Sequence, residues 1–183
     1  MPQNHPASAT GLAIGCVQVY TGDGKGKTTA AVGLAVRAAA AGLRVFFGQF
    51  IKAGDSSEIQ FLKQLCPNVT LEAFGRGRFI RGQPAPEDIA LAREGLQKLR
   101  AALQSGRYDL VVADEANGAV AAGLFPVAEL LALLDLRPPN VELVITGRNA
   151  PPALVERADL VTEMKCVKHC FQAGIPARRG IEL

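Results

Sequence analysis

The sequence has no tryptophan and only 2 tyrosines in 183 residues. A surface that stacks single-stranded bases needs several aromatic faces, so that route to nucleic acid is poorly supplied. Charge of one sign does not replace it. Basic residues number 20 and acidic ones 17, for a net charge of +3, and no nucleic-acid partner is expected. The two basic exceptions, "GRGRFIRG" (Gly75–Gly82) and the late "ARRG", read first as solvated loops. Long apolar runs are also missing. Although 49% of the residues are hydrophobic, no run approaches the roughly 18 residues of a membrane span. The opening "MPQNHPASAT" has no Lys or Arg, so no secretory signal is expected. Residues 1–10 read as a polar, loosely ordered arm.

Cysteine is sparse, at 4 residues. Without a secretory signal, reduced thiols in the cytoplasm are the expectation. "KCVKHC" gathers Cys166, His169 and Cys170. Zinc usually takes four ligands, often as two close pairs, and no second pair exists, so no structural zinc site is expected.

What the chain does have is alternation, without internal repeats. Short apolar runs read as strands: "CVQVY", "RVFFGQFI", "VTLEAF", "YDLVVADE", "VELVITG" and "DLVTEMKCV". Between them lie helical stretches. Lys27 to Ala41 is built on alanine and should stop at Gly42. Glu58–Leu65 is short, and "APEDIALAREGLQKLRAALQSG" is long, with Pro and acids in its first turn. Val127–Leu134 and "PPALVERA" complete the set. Strands buried on both faces and alternating with helices predict one α/β domain over residues 11–183, with a mostly parallel sheet covered on both sides. Such sheets bind ligands beyond the carboxyl ends of their strands. Four polar clusters are predicted there: the glycine-rich loop, "QFIKAGDSSE", "ADEAN" and "TGRNAPP".

The loop "VYTGDGKGKTT" (Val19–Thr29) carries the clearest chemistry. Gly26, Lys27, Thr28 and Thr29 fit the end of the phosphate-loop pattern, while Thr21 replaces its first glycine. Gly22, Gly24 and Gly26 let the backbone turn and present N–H groups to an anion, with Asp23 between them. The start of the following helix adds a positive dipole end. Lys27 supplies charge to the phosphates, Lys25 adds more at the loop, and the Thr28 hydroxyl can take Mg²⁺. "LVVADE" ends an apolar strand in Asp114-Glu115, which should bring carboxylates beside the loop. One acid would hold the metal directly or through water, and the other would orient a water or Lys27; either acid fits either role. Arg148, Asn149, Gln49 and Lys52 stand at other strand ends, where nucleotide contact, helix capping and plain surface exposure are all open to them.

The segments "VYTGDGKGKTTAAVGLAVRA", "VFFGQFIK", "YDLVVADEAN", "VELVITGRNAPPALVERADLVTEM" and "AGIPARRGIEL" together resemble the ATP:corrinoid adenosyltransferases of the phosphate-loop type. The likeness runs from about Cys16 to Leu183, and its most specific block is "TGRNAPP…ADLVTEM". The resemblance implies a phosphate-loop NTPase-like fold. It implies transfer of 5′-deoxyadenosine from ATP to the Co(I) of a reduced corrinoid, such as cob(I)alamin or cob(I)yrinic acid a,c-diamide. The bond broken is then C5′–O of the ribose, and triphosphate leaves. Cobalt attacks carbon, so no protein base is needed; Lys27, Thr28 and Glu115 serve the triphosphate and its Mg²⁺ or Mn²⁺. The family binds ATP reversed relative to ordinary phosphate-loop enzymes, and strips the lower axial ligand from Co(II) with apolar side chains. Here the candidates are Phe79 and Ile80, with Arg76, Arg78 and Arg81 able to meet the corrinoid rim or solvent. Some relatives carry a Phe and a Trp in this loop; this chain has no Trp. Arg37 is implied to reach nucleotide across a homodimer interface, and a flavin reductase to supply electrons. Two rival readings predict different outcomes: a phosphate-loop kinase or ATPase would release ADP, and a nucleotide or corrinoid carrier would consume nothing.

Overall fold

Six strands carry the buried apolar runs: β1 (Val17–Thr21), β2 (Val45–Ile51), β3 (Val69–Gly75), β4 (Leu110–Asp114), β5 (Glu142–Thr146) and β6 (Leu160–Glu163). In this computed structural model, which describes residues 11–78, 80 and 82–182, they form a single sheet in the order β3-β2-β4-β5-β1-β6. Every pairing is parallel. The expected arm, residues 1–10, lies outside the described residues.

The helices are α1 (Lys27–Ala40), α2 (Ser57–Leu65), α3 (Pro86–Gln104), α4 (Ala116–Ala121), α5 (Val127–Leu136) and α6 (Pro152–Arg157), followed by a 3₁₀ turn at Cys170–Ala173. Because side chains alternate across a strand, the strands feed two cores. Phe46, Phe50, Val111, Ala113, Leu143 and Ile145 pack with Leu96, Leu99 and Leu103 of α3 and Leu130 and Leu133 of α5. Val45, Phe47, Leu110, Val112 and Val144 pack with Ala31, Ala35 and Ala38 of α1 and Ile59 of α2. The domain is thus a parallel α/β sheet covered on both faces, as the alternation of strands and helices predicts.

Local chemistry sets the boundaries. Gly42 stops α1 in the left-handed region at φ 83. Its N–H reaches Ala39 O at 3.0 Å, and the N–H of Leu43 reaches Ala38 O at 3.0 Å, the pair of bonds that closes a Schellman motif. Two elements depart from expectation by more than a residue or two. The strand expected over "DLVTEMKCV" ends at Glu163, because the Met164 carbonyl turns to accept the N–H of Gly24 at 2.6 Å. Helix α4 follows directly on the acids of β4 and was not expected; its "ANGAVA" carries Asn and Gly, which favour turns over helix interiors.

The sheet order sets how the acid reaches the phosphate loop. β5 lies between β4 and β1, so Asp114 is not on the strand next to the phosphate loop. It meets the loop helix through space instead, with Thr146 of β5 filling the gap.

Candidate functional site

The four polar clusters lie at the carboxyl ends of β2, β4, β5 and β1, and these strands are consecutive in the sheet. Their chain ends therefore make one continuous edge. Among the described residues, all non-glycine residues with positive φ stand on it: Ile51 (φ 65) after β2, Glu115 (φ 60) after β4 and Asn149 (φ 56) after β5. A β-branched residue in this region is an outlier, of the kind that persists where surroundings over-determine it and that clusters at functional sites. At Ile51 the surroundings are visible. Its carbonyl accepts from Gly77 N at 3.0 Å. Gly75 crosses so close that a Cβ there would stand 2.1 Å from the Ile51 carbonyl carbon.

Asp114 is the centre of the site. It is fully buried and accepts from four side chains: Thr28 Oγ1 at 3.0 Å, Gln49 Nε2 at 2.8 Å, Lys52 Nζ at 3.3 Å and Thr146 Oγ1 at 2.6 Å. Thr146 Oγ1 in turn accepts from the backbone N–H of Glu115 at 3.0 Å. Glu115 points back over the same place, with Oε1 3.9 Å from Lys52 Nζ. Burial pushes the Glu115 carboxyl above its usual range, and the neighbouring Asp114 charge adds to that; Lys52, Lys27 and Arg148 pull the other way. Thr28, Asp114 and Glu115 are thus brought together as expected. Their donors are all hard oxygens, the set that suits Mg²⁺ or Mn²⁺.

The phosphate loop is less open than the sequence suggests. Gly24 N–H is directed at Met164 O, as above, so it is not offered to an anion. Lys27 is buried and donates to the carbonyls of Gly22 and Gly24, each at 2.7 Å. Burial lowers the pKa of this ammonium, although the nearby Glu115 charge resists. Lys25, expected to add charge at the loop, instead bonds Ile181 O at 2.9 Å and Glu182 Oε1 at 3.2 Å. Hydrogen bonds from the side chain and backbone of Arg178, joined by that of Lys25, hold the Glu182 carboxyl down at about 2. The start of α1 at Gly26 has no side-chain cap and no acid in its first turn, which leaves its dipole end uncompensated.

The other candidates are scattered around this core. Thr29 is exposed on α1. Arg148 and Asn149 are exposed, and Arg148 Nη2 lies 3.4 Å from the carbonyl of Asp23, itself exposed. Arg37 is exposed in the last turn of α1, ten residues or roughly 15 Å from Lys27. Ile80 is half-buried and packs against the α3 side of the core. Arg76 makes a two-bond pair with Asp88, at 2.7 and 2.6 Å. Phe79 and Arg81 lie outside the described residues. Thr146 opens the expected cluster "TGRNAPP", but its bond to Asp114 was not read from the sequence; a lone hydroxyl ending a buried apolar strand is the signal that could have found it. Gln49 is 1% exposed and its Oε1 has no partner. The same holds for Oδ1 of the buried Asn117 on α4.

A strand, a glycine loop and a helix that carries Lys27 and Thr28, set against a buried strand-end carboxylate, define a phosphate-loop protein of the parallel α/β class. Comparison with known proteins narrows the class. A family model described as ATP:corrinoid adenosyltransferase BtuR/CobO/CobP matches residues 13–183, and the chain belongs to that family. A protein of Pseudomonas aeruginosa named corrinoid adenosyltransferase is 38% identical over 92% of this chain and 83% of its own length. One of the same name from Escherichia coli K12 is 37% identical over 92% of this chain and 85% of its own. The corrinoid adenosyltransferase CobA of Salmonella typhimurium is 36% identical with the same coverage. No helix among the described residues is long and apolar enough to cross a membrane.

Proposed function

We propose that this enzyme transfers the 5′-deoxyadenosyl group of ATP to the Co(I) centre of a reduced corrinoid and releases triphosphate, in the formation of adenosylcobalamin. The observation that carries the proposal is the Thr28–Asp114 contact beneath the uncapped start of α1, in a chain of this family. Cobalt supplies the electron pair of the new Co–C5′ bond. The C5′–O pair leaves with the triphosphate, so cobalt passes from Co(I) to Co(III). No proton must move, and the protein's work is to bind, orient and neutralise the leaving group.

Lys27 would do most of this by exchanging the carbonyls of Gly22 and Gly24 for phosphate oxygens. Thr28, Asp114 and Glu115 would hold Mg²⁺ or Mn²⁺. When bound, the ion adds charge stabilisation to the leaving triphosphate. Asp23 and Arg148, which meet beside the loop, would contact the entering nucleotide together with the exposed Asn149 and Thr29. Phe79 and Ile80 remain the candidates for shielding cobalt.

A homodimer belongs to the same proposal. Its support is the exposed Arg37 and the open edge of β6, where Leu160 and Val161 are 43% and 41% exposed; unpaired edges invite pairing or cover. A flavin reductase would supply electrons in the cytoplasm, where the free cysteines would stay reduced.

The test mixes protein, Mg²⁺-ATP and chemically reduced cobalamin in the dark without oxygen. Triphosphate together with a light-sensitive cobalt–carbon product is the expected result. ADP as the product, or unconsumed ATP, would overturn the assignment.

A further inference from the structure

We propose that Lys52 occupies the metal position in the nucleotide-free enzyme, so that a divalent ion enters only together with the triphosphate. This rests on the metal assignment above. Thr28 Oγ1 gives its hydrogen to Asp114 Oδ1 at 3.0 Å, which turns its accepting side toward Lys52 Nζ at 2.9 Å. That lone pair is the one a metal ion would need. The same ammonium stands 3.3 Å from Asp114 Oδ2 and 3.9 Å from Glu115 Oε1. It therefore faces all three proposed ligands at once. An ion seated 2.0–2.1 Å from those oxygens, the distance magnesium requires, would meet the ammonium at close range, and two cations cannot share the place.

The backbone is shaped to bring Lys52 there. Ile51 takes the left-handed conformation although it is β-branched. The turn is tight enough for the Lys52 N–H to reach Phe50 O at 2.6 Å. This kink sends the residue after a sheet strand back across the strand ends toward Asp114. The Lys52 side chain is 35% exposed, so it has solvent to swing into when displaced. A triphosphate arriving with its own metal supplies new anionic partners for both cations. Free metal brings none, and must displace Lys52 unaided.

The experiment titrates Mn²⁺ into nucleotide-free protein and reads bound against free ion by electron paramagnetic resonance, for native protein and Lys52→Met. It then repeats both titrations with inorganic tripolyphosphate. Occupation of the position nine-tenths of the time would weaken free-metal binding by about tenfold. Lys52→Met is therefore expected to bind Mn²⁺ alone about tenfold more tightly than native protein. With tripolyphosphate present, the two should lie closer together. Equal or weaker Mn²⁺ binding by a folded Lys52→Met protein would overturn the proposal; Lys52→Gln, also neutral, takes its place if the first variant does not fold. Thr28→Ala and Asp114→Asn separate the two failures. If neither changes Mn²⁺ binding with tripolyphosphate, the metal assignment itself is wrong. If they weaken it while Lys52→Met matches native protein alone, only the role of Lys52 is wrong.

Discussion

The two ends of the same strands are built on different terms. At the amino edge, acids are clamped by groups that serve the fold. Asp109, ahead of β4, accepts from the backbone N–H of Arg44 at 2.8 Å and from its guanidinium at 3.2 Å. Glu142 accepts from Cys16 N at 2.6 Å, and Asp159 from Val17 N at 2.7 Å. Arg137 ties the carbonyls of Gly15, Pro138 and Val141 together. At the carboxyl edge the acids face hydroxyls and lysines, two buried amide oxygens lack partners, and three residues sit in strained backbone. The amino edge closes the sheet. The carboxyl edge leaves polar groups ready to change partners, as ligand binding requires.

The sharpest way to break this comparison is Lys27→Ala. A charge-assisted contact is worth roughly 1.5–3 kcal/mol, so adenosyl transfer should fall about ten- to a hundredfold. The loss of stability should be smaller, because the burial cost of the ammonium disappears together with its bonds to the Gly22 and Gly24 carbonyls. Native turnover with an intact circular-dichroism spectrum would remove Lys27 from the leaving-group site.

Asp109→Asn should do the reverse. It takes one charged acceptor oxygen from a buried side chain and leaves the solvent-exposed Arg44 guanidinium facing an amide, so stability should fall, with activity per folded molecule unchanged. Burial alone would raise the Asp109 pKa, but the bonds from Arg44 outweigh it and hold the carboxyl below its usual range. A depressed pKa contributes stability above the unfolded-state value, and that stability is lost as pH falls through the folded value. The gap between native and variant melts should therefore be full at neutral pH and close in acid. A gap that stays constant with pH would mean that Asp109 acts through packing alone.

Glu115→Gln sharpens the contrast, because its pKa moves the opposite way. Burial, then Asp114, raises it. For a carboxyl with a raised pKa, the relative stability is present below the unfolded-state value and is lost as pH rises through the folded value. Removing the charge should thus raise Tm at neutral pH, with no gain in acid, while the metal requirement of the reaction increases. A lower Tm at neutral pH would place Glu115 with the structural acids of the other edge.

The sequence made the sheet legible because strands buried on both faces leave unbroken apolar runs, as in "LVVAD" and "ELVIT", and the helices between them are long or well punctuated. It also put Thr28, Asp114 and Glu115 together, since a phosphate loop requires a strand-end acid. What it could not carry was direction. Nothing in "GDGKGK" tells that Gly24 would donate to Met164, 140 positions later, or that Lys25 would turn to the tail. Those bonds depend on where β6 docks, which is long-range packing. The sequence leaves Lys52 open between ligand contact and plain surface until the left-handed turn at Ile51 is known, and β-branched residues give no local hint of positive φ.

The smallest expected effect tests whether that strained backbone matters by itself. Asn149 is exposed at φ 56, two residues before Pro151. Asn tolerates this region, Gly enters it freely, and Ala meets a penalty of roughly 1–2 kcal/mol. Asn149→Ala should therefore lower stability by about 1 kcal/mol, while Asn149→Gly should leave it within a few tenths. Neither variant keeps the amide. If the amide touches ATP, both should raise KM by about two- to tenfold, the worth of a neutral hydrogen bond, whatever their melts show. That is the outcome expected for a residue on the carboxyl edge. A native KM in Asn149→Gly, with only Asn149→Ala impaired, would assign the position to the turn and take its side chain out of the site.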